Sequence, residues 1–287
     1  GDERNLLLND RQVKFEKYLT DAFSEKAVEF INESSQPFMM YLAYNAVHTP
    51  MQATDEDMAK FEGHPRQKLA AMTYALDRGV GTVIRGLKDS GKFDNTLIFF
   101  LSDNGGATTN QSSNYPLKGF KGNKFEGGHR VPYFVVWKNG IPAGKPYDGL
   151  VSSLDIFATA IDAASISKTR NRLDGVSLLP YLKGKKGEPH KVLYWRKMDT
   201  RAIRSGDYKL IITHGVDSVL YNIRRDPEEM NNLINKEPDL YRKLAKKLAK
   251  WEKNECIEPS WLEEGWRKIT NRYHQQLMHN EIKTAQD

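Results

Sequence analysis

The sequence has very little cysteine and no long apolar run. Cys256 is the one cysteine among 287 residues, which excludes a disulfide within the chain and a metal site built from several thiolates. No stretch approaches the roughly 18 consecutive apolar residues of a transmembrane helix, so no membrane partner is expected. The first residues show no basic segment followed by an apolar core and are not expected to be a signal peptide.

Patterns typical of nucleic-acid and nucleotide binding are also missing. The net charge of +6 and the pI of about 9.1 suit an acidic ligand, or simply a solvated surface. There is no zinc-finger spacing, RNA-binding aromatic box or helix-turn-helix signature, and no Walker A sequence. Nucleic acid is therefore not expected as a partner, whereas a sulfated or phosphorylated small substrate or polysaccharide fits the charge.

What is present predicts an α/β domain. Apolar residues recur every three or four positions over about 14–31 and 66–87, which predicts two helices. Short apolar runs at 38–44 and 96–102 have the length of strands buried on both faces. Strand, long helix and strand form a βαβ unit, which implies a mainly parallel sheet flanked by helices. A third strand is expected at 133–137.

The character of the chain changes near Lys183. A helix predicted at 153–164 precedes this point, and the segment 183–187 reads as an exposed linker. Four short β-rich segments then predict a small antiparallel meander, at 192–195, 201–203, 208–213 and 219–223. We therefore place a domain boundary after residue 182, with residues 183–287 forming the meander, a packing helix and a tail.

The last predicted helix, at about 238–253, is strongly amphipathic. Four apolar residues share one stripe of it, namely Leu240, Leu244, Leu248 and Trp251. We expect this stripe to pack on the meander.

Polar residues follow two of the predicted strands. His48 lies four residues past the strand at 38–44, and Asp103 and Asn104 directly follow the strand at 96–102. Because ligands bind beyond the carboxyl ends of parallel strands, these side chains should meet at one edge of the sheet. A carboxylate and an amide oxygen suit a hard cation such as Ca²⁺ or Mg²⁺, although two ligands do not complete such a site. The alternative is a plain turn, since Asn-Gly is a common turn dipeptide.

A segment rich in glycine and lysine follows, at 114–132. Lysines in such a loop can hold an anion, because glycine lets the backbone approach closely. The alternative is a flexible basic loop without a ligand.

Taken in order, these pieces resemble the formylglycine-dependent type I sulfatases of the alkaline-phosphatase superfamily. The resemblance covers about residues 20–250 and is specific in combination, although each piece alone is weak. The segments that carry it are 37–38, 48–50, 101–105, 116–121, 125–132, 173–180, 201–204, 206–210, 220–222 and 226–229.

The resemblance implies roles for four residues. Asp103 and Asn104 correspond to the second pair of Ca²⁺ ligands, and Lys121 to the lysine that binds the sulfate and its leaving oxygen. His48 corresponds to the histidine that contacts the sulfate ester near the leaving group. Together these groups would offset negative charge on a transferring SO₃ group and a departing alkoxide.

Other residues of the basic segment are expected to have subsidiary roles. Lys118 is interpreted as a surface or substrate-side lysine, and His129 as a residue that faces the substrate. Asn114 is expected to line the entrance, and Glu126 to fix the loop.

The resemblance further implies a sulfuric ester hydrolase acting on a sulfated glycan or a small sulfate ester. Such enzymes lie in the periplasm or outside the cell, or in the lysosome of animals. Their formylglycine comes from a Cys/Ser-x-Pro-x-Arg motif, which this sequence does not contain. We therefore expect the nucleophile to lie upstream, in an N-terminal part of the same enzyme that completes the site, and this chain alone to be inactive.

Two other functions stay open. One is a phosphodiester or phosphonate monoester hydrolase of the same superfamily, which shares the metal and lysine positions. The other is a non-catalytic module that binds anionic glycans through the basic loop.

Overall fold

The computed structural model describes residues 6–14, 16–166, 172–256 and 264–284. The chain forms two compact units, one ending at Thr96 and the other beginning at Leu97. The predicted boundary after residue 182 falls inside the second unit, and as a boundary between domains it stays a prediction. Among the described helices, none combines the length and the apolar character needed to cross a membrane.

The first unit is a pair of long helices preceded by a hairpin. Its elements in chain order are β1 (Leu6–Leu8), β2 (Arg11–Val13), α1 (Leu19–Glu33), α2 (Asp55–Ala59) and α3 (Gln67–Asp89), with β1 and β2 antiparallel. The helix predicted at 66–87 is confirmed. The helix predicted at 14–31 begins at Leu19 instead, and position 15 lies outside the described residues.

Small residues decide which face of α3 is buried. A Cβ atom at Gly79 would lie 2.6 Å from Ser24 Oγ, and one at Gly86 would lie 2.9 Å from Val28 Cγ2. These glycines therefore let α3 approach α1 closely. The larger side chains of Leu76 and Val80 stay half-exposed. The apolar periodicity predicted the helix correctly, although Met72 and Leu87 are its only large apolar side chains that are buried in the described structure.

Arg78 ties the three helices of this unit together. Its guanidinium lies 2.6 Å from Asp57 Oδ1 on α2 and 2.9 Å from Asp21 Oδ2 on α1. The hydrogen bond from Arg78 lowers the pKa of the buried Asp57 below its usual value.

The strand predicted at 38–44 does not form. The segment belongs to no strand and has no ladder partner in the described part of the chain, and Met39 and Tyr41 are 69% and 89% exposed. An apolar run becomes a strand only where a neighbouring strand satisfies its backbone hydrogen bonds, which composition alone does not report. The segment is fixed at its end, where Tyr44 Oη lies 2.9 Å from Ser24 Oγ.

The second unit joins a two-stranded sheet, short helices and a four-stranded meander. Its elements in chain order are β3 (Ile98–Leu101), α4 (Glu126–His129), β4 (Tyr133–Val136), α5 (Asp155–Ala163), α6 (Leu179–Leu182), β5 (Val192–Lys197), β6 (Thr200–Ser205), β7 (Tyr208–Thr213), β8 (Asp217–Asn222), α7 (Pro238–Glu255) and α8 (Glu264–Met278). The α/β class and the later antiparallel sheet with its helix are confirmed, whereas α8 was not predicted.

The pairing of β3 differs from the expected βαβ unit. β3 pairs with β4 in the antiparallel direction, with Ile98 opposite Val136 and Leu101 opposite Tyr133. The predicted parallel crossover is therefore wrong for the described residues, because its first strand is not formed and β4 runs back along β3. The turn after β3 nevertheless lies at the end of a strand, as expected.

The meander β5–β6–β7–β8 has two covered faces. On one face Leu244 and Leu248 of α7 pack against Ile203, Leu210 and Leu220, which confirms the predicted stripe. On the other face the side chains that pack come from the meander, the glycine-rich loop and α8, and they include Phe120, Phe125, Ala202, Ile211, Tyr221 and Leu277. The loop is thus anchored on a rigid sheet.

We expect Leu248→Ala to destabilise the second unit by about 2–5 kcal/mol, because it empties a fully buried position between α7 and the meander. Urea unfolding followed by tryptophan fluorescence measures this, since the Trp251 ring stacks on Tyr194 with centroids 4.9 Å apart. Lys247→Ala is the matched control, because Lys247 is exposed on the same helix. Equal midpoints for the two variants would contradict the assigned packing of α7.

Candidate active site

The turn after β3 offers two oxygen donors. Asp103 is exposed and Asn104 is half-buried. The Asn104 amide nitrogen donates to the Gly105 carbonyl at 3.0 Å, and Ser102 Oγ donates to the Asn104 carbonyl at 2.8 Å. The turn therefore uses the amide nitrogen of Asn104 and leaves its Oδ1 as the atom suited to a cation.

Backbone hydrogen bonds join this turn to the basic loop. Gly105 N donates to Gly128 O at 3.1 Å, and Lys121 N donates to Gly106 O at 2.9 Å. The Lys121 side chain is exposed. The structure thus brings the Asp103–Asn104 turn, Lys121 and the α4 turn into one arrangement within the second unit.

Close backbone approach explains the glycines of this arrangement. A Cβ atom at Gly105 would lie 1.8 Å from the Gly127 carbonyl oxygen, and one at Gly127 would lie 2.5 Å from Gly119 O. No larger residue fits either position without moving the backbone. Glycine here sets the spacing between the turn and α4.

Asn114 clamps the same loop. Its Oδ1 accepts a hydrogen bond from Gly106 N at 2.8 Å, and its Nδ2 donates to Gly106 O and Gly119 O at 3.2 and 3.1 Å. The sequence suggested a residue at the entrance. The structure shows a loop-holding role that was missed, and contact with substrate stays a prediction.

A buried ion cluster fixes α4 to the meander. Lys209 on β7 is fully buried, and its Nζ lies 2.9 Å from both Glu126 Oε1 and Glu229 Oε1. Glu126 N also donates to Glu229 Oε2 at 2.6 Å. The expectation that Glu126 fixes the loop is confirmed, whereas Lys209 and Glu229 were not identified from the sequence.

The two carboxylates of the cluster titrate in opposite directions. Burial would raise the pKa of Glu126, but attraction by Lys209, together with other nearby positive charges, outweighs burial and lowers it. Burial, followed by repulsion from Glu126, raises the pKa of Glu229. Glu126 is therefore the carboxylate that keeps its negative charge against Lys209.

Lys118 does not lie at the surface, so that part of the expectation was wrong, and its contact with substrate stays a prediction. Its side chain is fully buried, and its Nζ donates to the Glu229 carbonyl at 3.1 Å and to Asn280 Oδ1. Burial lowers the pKa of Lys118 to about 8. The two groups that accept hydrogen bonds from Lys118 lie more than 100 residues downstream, which local sequence does not reveal.

His129 lies at the end of α4 with its ring against Trp195, the centroids 4.5 Å apart. Both ring nitrogens are buried and without a hydrogen-bond partner in the described part of the chain. Burial, followed by repulsion from Lys209, lowers its pKa to about 3, so the ring is neutral. Its contact with substrate stays a prediction.

His48 belongs to the first unit and is exposed there. Its Nδ1 lies 2.7 Å from the Thr49 carbonyl oxygen. Because a carbonyl oxygen can only accept, Nδ1 carries the proton in this contact. The predicted meeting of His48 with Asp103 and Lys121 stays a prediction.

Comparison with known proteins identifies the relatives of this chain. The Sulfatase family model matches residues 2–166, and a model for the C-terminal region of N-sulphoglucosamine sulphohydrolase matches residues 121–254. The chain belongs to the sulfatase family.

Individual relatives agree with that assignment. The chain is 39% identical over 201 residues to an uncharacterized sulfatase, YdeN, of Escherichia coli (strain K12), which covers 67% of this chain and 36% of that protein. It is 32% identical over 202 residues to N-acetylgalactosamine-6-sulfatase of Canis lupus familiaris, covering 68% of this chain and 38% of that protein. The chain thus spans little more than a third of the length of these relatives.

A solved structure shows the same fold. The structure of Ps i-CgsB in complex with k-i-k-neocarrahexaose superimposes with a TM-score of 0.84 and 35% sequence identity. The match covers 96% of this sulfatase chain and 64% of that protein. The alkaline-phosphatase-like fold expected from the sequence is confirmed by this likeness.

The donor set of this sulfatase chain suits part of a Ca²⁺ site. Asp103 and Asn104 supply only oxygen ligands, which a hard cation prefers. No group of three or more His, Cys, Asp or Glu side chains that could hold a metal occurs among the described residues. Asp103 and Asn104 can therefore be two ligands of a larger set, and they do not form a complete site by themselves.

We expect Lys209→Met to lower the free energy of unfolding of the second unit by about 3–5 kcal/mol, because it leaves Glu229 buried without its cation and Glu126 with only the more distant Arg130 and Arg204. Chemical denaturation measures the loss. Lys250→Met, at an exposed position of α7, removes the same charge and should have little effect. A wild-type unfolding curve for Lys209→Met would show that the cluster does not stabilise the loop.

We expect Gly105→Ala to destabilise the loop by several kcal/mol, about 4 or more, because backbone must move to relieve the contact with Gly127. Gly265→Ala is the matched control, since a Cβ atom there meets nothing within 4 Å and alanine favours the helix by up to about 1 kcal/mol. Thermal unfolding and hydrogen exchange of residues 105–130 measure both. Equal protection in the two variants would contradict the assigned approach of the turn and α4.

Proposed function

We propose that the complete protein hydrolyses sulfate esters of a sulfated carbohydrate. The observation that carries the proposal is the arrangement in which Lys121 N bonds to Gly106 O while Gly105 N bonds to Gly128 O, because it holds an exposed lysine beside the Asp103–Asn104 turn. A cation site next to an ammonium group suits an anionic sulfate ester and the negative charge that develops on its leaving oxygen. The names of two relatives refer to sugar ligands, N-acetylgalactosamine-6-sulfatase and Ps i-CgsB with neocarrahexaose, and this supports a carbohydrate substrate.

Each residue has one assigned task in this proposal. Asp103 and Asn104 supply oxygen ligands to Ca²⁺, which when bound adds positive charge beside the sulfate. Lys121 holds the sulfate and stabilises the negative charge that develops on the leaving oxygen. His48 is assigned to the sulfate ester near the leaving group, where its ring, when protonated on both nitrogens, can donate a proton. The formylglycine nucleophile and the remaining metal ligands come from an upstream part of the same enzyme.

We expect Lys121→Met in the complete protein to lower kcat for an aryl sulfate by about 10²–10³, the cost of removing one group that stabilises developing charge. Lys186→Met, in the exposed segment 183–187, is the control for lost charge and should keep wild-type activity. Binding of inorganic sulfate, measured by calorimetry, should weaken only in Lys121→Met. Full activity of Lys121→Met would overturn the assignment of this residue.

Paired aryl sulfate and aryl phosphate esters test the rival function. A sulfatase should favour the sulfate ester, whereas a phosphodiester or phosphonate monoester hydrolase should favour the phosphorus ester. If the complete protein binds sulfated glycan and hydrolyses neither ester, a non-catalytic glycan-binding module replaces the proposal.

A further inference from the structure

Two lysines near Lys121 have no acidic partner. Lys197 ends the edge strand β5, and its Nζ lies 3.1 Å from the position a Cβ atom would take at Gly122. Gly122 follows Lys121 directly, so the meander delivers a second ammonium group to the basic loop. Lys124 lies half-buried three residues after Lys121. Neither Lys124 nor Lys197 makes an ion pair or a hydrogen bond through its ammonium group with any part of the chain that the structure describes.

The nearby carboxylates do not neutralise these lysines. Glu126 and Glu229 are both engaged by Lys209, as described above. Burial, followed by repulsion from Lys197 and Lys209, lowers the pKa of Lys124 to about 8. Close positive charges without a counter-charge favour the binding of an anion, because an anion removes their repulsion.

Two imidazole rings beside the lysines have unsatisfied polar atoms. A neutral His129 must carry one ring N–H, yet both of its nitrogens are buried without an acceptor in the described part of the chain. His129 packs on Trp195, which faces the same side of β5 as Lys197 because side chains alternate along a strand. A buried donor without an acceptor is costly and calls for a ligand or an ordered water.

His274 approaches the same region from α8. Its neighbour Tyr273 packs edge-on against Phe120 of the basic loop, with centroids 5.1 Å apart. His274 Nδ1 donates to the Thr270 carbonyl at 2.8 Å, and its Nε2 is buried without a partner among the described residues. Burial, with repulsion from Lys124 and Lys197, lowers its pKa to about 4. A bound anion would reverse that repulsion and let Nε2–H donate.

We propose that Lys124 and Lys197, with His129 beside them, form a second anion subsite next to Lys121. The subsite takes a sulfate or carboxylate group on the sugar that neighbours the one carrying the reacting sulfate ester. It rests on the proposed function in placing that ester at Lys121. Lys197 is then a residue that selects multiply charged substrates, whereas Lys121 acts on every sulfate ester.

The test compares substrates in the complete protein. Lys197→Met should raise KM about tenfold or more for an oligosaccharide with sulfate on adjacent sugars, since a charge-assisted hydrogen bond to the second group is lost. Its kcat should stay unchanged. An aryl sulfate, which carries one anionic group, should keep its kcat/KM within about twofold. Lys191→Met is the matched control, because Lys191 is exposed just before β5, at the opposite end of the strand from Lys197.

Four outcomes decide between the subsite and its alternatives. An unchanged KM for the multiply sulfated oligosaccharide in Lys197→Met overturns the subsite, and so does an equal loss on both substrates, which would mean damage to the reaction centre. A second oligosaccharide, with a carboxylate in place of sulfate on the neighbouring sugar, shows which anionic group the subsite binds. A higher KM in Lys197→Met for either oligosaccharide supports the subsite. If the wild-type protein hydrolyses no sulfate ester, the proposed function fails alone, and the affinity of the sulfated oligosaccharide must still fall about tenfold in Lys197→Met.

Discussion

The ion pair between Lys209 and Glu126 is the interaction on which the arrangement of the active-site loop depends. The loop from Asp103 to Arg130 is rich in glycine and charge, and Phe120 and Phe125 are its buried aromatic anchors. Lys209 belongs to the meander and Glu126 to α4, so their contact at 2.9 Å fastens the loop to the sheet. Helix α7 packs on the other face of the same sheet. Both groups are desolvated, and the cost of desolvation offsets much of their attraction. The pair therefore fixes the position of α4 but adds little net free energy of folding.

Burial separates the lysines of this region into two groups. Lys209 and Lys118 are buried and bonded to Glu126, Glu229 and Asn280, so they serve the structure. Lys121 and Lys197 are exposed, on the loop and on the edge of the meander. The four side chains have the same chemistry, and only their surroundings decide which can meet a substrate.

Local patterns sufficed for elements whose packing is also local. The α7 stripe and the four strands of the meander follow from periodicity, because consecutive antiparallel strands pair with their neighbours in sequence. The strand predicted at 38–44 was wrong because a strand needs a partner strand, which its own sequence does not encode. The prediction that Lys118 lies at the surface was wrong for a similar reason, since its hydrogen-bond partner Asn280 lies 162 positions away.

The Asp103–Asn104 turn and Lys121 were located correctly relative to strand and loop, but the means of holding them was missed. One local signal was available: Lys209 alternates with Ile211 and Thr213 on β7, and Ile211 is buried in the core beneath the loop. A lysine on the apolar side of a strand requires a buried carboxylate, and the acidic residues at 126 and 229 were the candidates.

Lys121 and Lys197 are held in place by different parts of the fold, so one side chain can change without the other. Lys121 is bonded through its own backbone to Gly106, so its position is set by the loop and the glycines around it. Lys197 lies on the edge strand β5, which pairs with a neighbour only on the side of β6, where Lys197 is opposite Thr200. Exchange of the Lys197 side chain therefore leaves the Lys209–Glu126 contact and the Lys121 backbone bond in place. On the proposed function, a fold of this kind can keep one chemistry at the loop while the meander edge adapts to the charge pattern of the substrate.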